Sequence, residues 1–219
     1  MTSVAGIHVG GDRKGCNLVI LRGTAVVCSI AGAAPEDLLA HCLAYDVVAV
    51  GIDAPSVWRG AGGARLAERE MARAGISAFS TPLRAEALAS TSGFYGWMFN
   101  GERVYRSLAA AYPVLAAPAY PGGRVSFETF PHAITSAILG RAVASARLKG
   151  VQRRQILASF GIDTKALTSI DAVDAALCAL AAIHLVQGTS RVFGAAADGY
   201  IHVPVIEPAP ALYQPAGGN

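Results

Sequence analysis

Residues 46–52 read Asp-Val-Val-Ala-Val-Gly-Ile and then stop at Asp53-Ala54-Pro55. An apolar run of strand length with no polar alternation has to be covered on both faces, which is the habit of parallel strands flanked by helices. The chain is 219 residues long, 53% hydrophobic and 15% charged. It is therefore large enough to bury a substantial core and too apolar to be disordered. These features predict one α/β domain over residues 1–219.

Further strands are expected at Val4–Gly10, Asn17–Arg22 and Thr24–Ile30, separated by glycine turns. They form a three-strand antiparallel meander. Arg124–Phe130 completes a mixed five-stranded sheet, and Tyr200–Ile206 is expected as a short edge strand. Helical spacing marks Pro35–Tyr45, Ala64–Ala74, His132–Leu139, Val151–Phe160 and Asp171–Val186. The last is apolar almost all round and belongs in the core. Residues 56–123 read as a largely irregular insertion over the active face, and 207–219 as a flexible Pro/Gly-rich tail.

Net charge is +3, with only Lys14, Lys149 and Lys165 among 18 basic residues not being Arg. A mild positive balance permits a polyanionic partner without demanding one. Cys16, Cys28, Cys42 and Cys178 sit in apolar runs with no CxxC spacing. That argues for reduced core cysteines in a cytoplasmic protein and against a zinc site or a disulfide framework. The apolar stretch 172–186 carries Asp174 and His184 and is too short to cross a bilayer. The expectation is a protein without a membrane span.

Several acids interrupt apolar segments. Asp53 closes a strand, at the edge where open α/β sheets gather ligands; capping the Ala54-Pro55 turn is its ordinary structural alternative. Asp171 and Asp174 share one face of the last helix. Thr168-Ser169-Ile170-Asp171 also fits a capping box. Asp174 lies among Val173, Ala175, Ala176 and Leu177, so its carboxylate has to be paired, protonated or bound to a cation. Glu128 stands in RVSFETF, either toward the same end of the sheet or on the exposed face of an edge strand. Carboxylates gathered at one point repel one another unless a cation offsets them, and an oxygen-rich site suits Mg²⁺ or Mn²⁺.

The segments GIHVGGDRKG, GIDAP, STPLR, GWMFNGERVYRSL, FETFP, DAVDAALCALAA and GYIHVP occur in this order over about residues 4–206. The ordered set resembles domain-of-unknown-function family 429, described as predicted RNase H-like nucleases, with a core similar to RuvC-type junction resolvases. The resemblance implies an RNase H-like fold and a two-metal nuclease. It assigns metal-site roles to Asp53, Asp171 and Asp174 and a supporting catalytic role to Glu128. Such families place Asp on the first strand as Gly-[Ile/Val]-Asp, whereas this chain reads Gly6-Ile7-His8. Imidazole is a poor Mg²⁺ ligand and suits Mn²⁺ or another transition metal better. Asp12, beside Gly10-Gly11, is the nearest loop acid that could stand in.

The sequence leaves three functions open. The first is metal-dependent phosphodiester hydrolysis of DNA or RNA, with Asp53, Glu128, Asp171, Asp174 and His8 at the site. Arg13, Lys14, Arg65 and Arg84 would hold phosphates beside the aromatic segment 94–99. The Gly10–Gly15 turn would offer backbone N–H groups to a phosphate. The second is a catalytically inactive module binding nucleic acid or protein, for which His8 is the main support. The third is nucleotide phosphoryl transfer, for which the chain is short.

Overall fold

The computed structural model describes residues 1–11 and 13–205. Asp12 and the 207–219 tail, both named above, lie outside the described residues.

Seven strands form one mixed sheet in the order β3-β2-β1-β4-β5-β7-β6. β1 (Ser3–Val9), β2 (Cys16–Arg22) and β3 (Ala25–Ala33) make the expected antiparallel meander. β4 (Val47–Asp53) and β5 (Val125–Glu128) run parallel to β1. β6 (Ser190–Ala195) and β7 (Gly199–Pro204) form a hairpin, with β7 parallel to β5.

The count of five strands is corrected by this hairpin. β6 is the edge, and the segment expected as an edge strand is interior. The cue was local: Asp198-Gly199 between two short apolar runs is a hairpin turn, and Gly199 takes φ 83°.

Helices cover both faces. On one, α5 (Pro131–Leu139), α6 (Lys149–Ser159) and α7 (Ile170–Val186) pack on Val4, Val19, Leu21, Ala49 and Phe127. On the other, α1 (Leu38–Ala44) and α4 (Gly96–Leu108) pack on Ala5, Ile7, Leu18, Ile20, Val50 and Ile52. Successive β1 residues alternate between the two cores, as the pleat requires. The 56–123 segment holds three helices, α2 (Leu66–Arg73), α3 (Arg84–Ala89) and α4. Ala67 and Met71 of α2 pack with Phe193, Ile201 and Val203 of the β6–β7 hairpin.

Two glycines set where α7 lies. Gly6 and Gly51 are register partners on β1 and β4. A Cβ on Gly6 would overlap the Ala175 carbonyl oxygen, and one on Gly51 would lie 2.5 Å from that of Cys178. Small residues of α7 (Ala175, Cys178, Ala179) meet these bare strands, so helix and sheet backbones touch. Two residues further along each strand stand His8 and Asp53, also register partners. One turn back along α7 stand Asp171 and Asp174. Two strand residues span about 6.6 Å and one helical turn about 5.4 Å, so the polar residues of helix and sheet fall opposite each other.

Candidate metal centre

His8 is the hub of the cluster. Its Nδ1 lies 2.6 Å from Asp53 Oδ2, and its Nε2 lies 3.6 Å from Asp171 Oδ1. The short contact to an acceptor-only carboxylate puts a proton on Nδ1. Burial works against an imidazolium here. The hydrogen bond to Asp53 and the negative charges of Asp53, Asp174 and Asp171 outweigh it and raise the His8 pKa above the ordinary 6.5.

Asp171 is not part of a capping box with Thr168. The cap of α7 is Ser169, whose side chain accepts from the Ala172 N–H. This leaves the Asp171 carboxylate to face His8 and Lys14, whose Nζ is 3.5 Å away. Asp174 is 4% exposed. Burial raises its pKa, opposed by Arg153 of α6, whose Nη1 donates to Asp174 Oδ1 at 2.5 Å.

Arg153 was missed in the sequence. The available signal was a basic residue on the apolar stripe of its helix, three and four positions before Ile156 and Leu157. One ligand atom each from His8, Asp171 and Asp174 lies within 4.8 Å of the others. Asp53 joins this group through its bond to His8.

Glu128 does not join it. Both of its oxygens are taken by Arg65, at 2.8 and 2.7 Å, and Oε2 also accepts from the backbone N–H and hydroxyl of Ser56. Glu128 is 4% exposed: its strand is not an edge, because β7 pairs with it, and Arg65 and Ser56 cover the face on which its carboxylate stands. Arg65 is corrected in the same way. It is 1% exposed and spends its remaining donors on the Asp198 carbonyl and Thr81, with Glu68 close by, so it has no surface to offer a phosphate. Arg13 is exposed and Lys14 largely so. Arg84 is half-exposed, paired with Glu102 and set 5.7 Å over the Phe99 ring. In the Gly10–Gly15 turn, the N–H groups of Gly10, Lys14 and Gly15 bond within the turn itself. Those three are turned away from any phosphate.

The fold and this cluster define an α/β protein with a mixed sheet and a carboxylate–histidine centre at the carboxyl edge of its first and fourth strands. The chain belongs to the DUF429 family, described as a protein of unknown function, which matches residues 6–198. It is also similar to the RuvC structure from Thermus thermophilus, at 16% identity and a TM-score of 0.42, covering 86% of this chain and 98% of that one. No curated protein matches it. Among the described residues, no helix is long and apolar enough to cross a membrane.

Proposed function

We propose that this chain is an RNase H-like phosphodiester hydrolase acting on DNA or RNA, with a divalent cation held by His8, Asp171 and Asp174. The observation that carries the reading is the convergence of these three with Asp53, from two strands and a helix far apart in sequence, at one edge of the sheet. The sheet order supports it: a meander followed by parallel strands, with a D-x-x-D pair on the last long helix.

The donor set fits a single cation. It offers one imidazole nitrogen and carboxylate oxygens, which suits Mn²⁺ or another transition ion better than Mg²⁺. A carboxylate bonded to the far nitrogen of a ligating His is the usual backing of such a ligand, and Asp53 stands in that position. The two-ion arrangement implied by the family resemblance fits less well, because it calls for a carboxylate where His8 stands. A bound cation supplies a Lewis acid and a water that deprotonates near neutral pH. The chain's own residues do the rest. Asp53 fixes the His8 ring, Asp171 and Asp174 give the negative charge, and Arg153 holds the Asp174 carboxylate in place. Exposed Arg13, Lys14 and Arg84 are the side chains offered to phosphates, Lys14 and Arg84 by exchanging their contacts with Asp171 and Glu102.

The test is Mn²⁺ titration followed by spin resonance, together with cleavage of labelled single- and double-stranded DNA and RNA. Cleavage is expected to need Mn²⁺ and to be lost in Asp171→Asn. Mn²⁺ binding with no turnover on any substrate would remove the hydrolase reading.

One observation favours a second reading, a binding module without turnover. Each acid already faces a cation: Asp53 has His8, Asp171 has Lys14 and Asp174 has Arg153. The variant His8→Asp separates the two. Turnover that appears or rises sharply identifies a weakened enzyme, and unchanged binding without turnover identifies a module.

A further inference from the structure

Asp53 also forms part of the wall of a cavity of about 100 Å³. Most of that wall is apolar, and Phe79, Trp97 and Phe130 give it three aromatic rings. Phe79 and Trp97 stand with ring centroids 5.7 Å apart, nearly perpendicular. Two polar wall residues are unusual. Glu68 and Thr129 are 7% and 0% exposed, yet Glu68 Oε2 and Thr129 Oγ1 have no hydrogen-bond partner among the described residues. The other Glu68 oxygen is occupied, accepting from the Thr81 N–H at 3.0 Å and lying 3.7 Å from Arg65 Nη1. Buried polar atoms are ordinarily paired. Glu68 Oε2 therefore keeps an acceptor site beside a small aromatic-walled space, which a donor seated in the cavity would satisfy.

We propose that this cavity takes a nucleobase bearing an exocyclic amino group, with its ring against Trp97 and Phe79 and an amino N–H donated to Glu68 Oε2. Stacking on aromatic side chains suits any base. The carboxylate supplies the discrimination, because adenine, guanine and cytosine carry an amino donor whereas uracil and thymine present only carbonyl oxygens and one ring N–H. The space holds one ring system, and Asp53 is shared with the metal centre, so the base seated here would belong to a nucleotide next to the reacting phosphate. The polymer context rests on the nuclease reading; base binding itself needs neither metal nor turnover.

The test uses CMP and UMP, which differ at C4, amino against carbonyl, and at N3, which carries a hydrogen only in UMP. Trp58→Phe leaves Trp97 as the sole indole, and its fluorescence is followed in EDTA. CMP is expected to quench it saturably, with UMP about tenfold weaker or worse, since the carbonyl meets an acceptor. Glu68→Gln, which puts an amide donor within the wall, should shift the preference toward UMP. Ala78→Leu, which fills the cavity from its wall, should abolish the CMP response while leaving the melting temperature and Mn²⁺ binding unchanged. The proposal is overturned if neither nucleotide quenches, if both do so equally, or if the response survives Ala78→Leu. A CMP response without any cleavage supports the pocket and removes the hydrolase reading; cleavage without a CMP response removes the pocket alone.

Discussion

His8 Nδ1 and Asp53 Oδ2 meet at 2.6 Å because their residues are direct register partners on neighbouring parallel strands. Their side chains rise on the α7 side of the sheet, where the helix brings Asp171 and Asp174 to the same place. This pairing makes a chain whose first strand carries His into one with a defined imidazole tautomer and a raised His8 pKa.

A pH dependence follows. A histidine whose folded pKa lies above its unfolded value near 6.5 adds stability that is fully present below that value and lost as pH climbs through the folded pKa. In chelator, the melting temperature should fall as pH rises past 6.5. Asp53→Asn removes the main partner of the imidazolium, so this slope should flatten and the His8 pKa should drop. Both are measurable, by thermal melts across pH and by NMR titration of the ring protons.

Burial of His202 predicts the opposite slope on the acid side. His202 is fully buried, Nε2 has no partner among the described residues, and its pKa is pushed down to about 4 by desolvation. A depressed histidine leaves stability intact above 6.5 and loses it as pH falls toward 4, here by about 3 kcal/mol at the limit. Urea denaturation from pH 7 to 4 should show this loss, and His202→Phe should remove most of it.

The glycine contact under α7 is testable with a single methyl group. Gly6→Ala puts a Cβ into the Ala175 carbonyl oxygen, backbone against backbone, with no flexible side chain to give way. Overpacking costs typically 1–3 kcal/mol, and this site should reach about 3 kcal/mol or more. Displacing α7 also moves Asp171 and Asp174 away from His8. Mn²⁺ affinity measured by calorimetry should therefore fall in Gly6→Ala, although the residue touches no ligand atom.

Glu128 is expected to act through the fold. Glu128→Ala strands Arg65 in the interior and should cost about 3 kcal/mol by chemical denaturation. The pair Arg65→Met with Glu128→Leu should recover part of that loss. Mn²⁺ affinity should be unchanged in the folded double variant, and a large drop would place Glu128 back at the proposed metal site.

The features legible in the sequence are the local ones. The meander, β4, β5 and the buried α7 were readable because strand alternation, unbroken apolar runs and glycine turns are set by near neighbours. His8, Asp53, Asp171 and Asp174 were readable because each puts a polar group into an apolar segment. The Gly6/Gly51 pattern, two residues before His8 and Asp53, was also there to be read. The partners of Glu128 and Asp174 were not. Arg65 lies 63 positions from Glu128 and Arg153 lies 21 from Asp174. Which cation meets which carboxylate depends on how α2 and α6 dock. Docking of the segment that carries Ser56 and Arg65 then turned an apparently exposed acid into a buried one. A residue's chemistry belongs to the chain, but its partner is chosen by packing, and packing sums contacts that no short window of sequence contains.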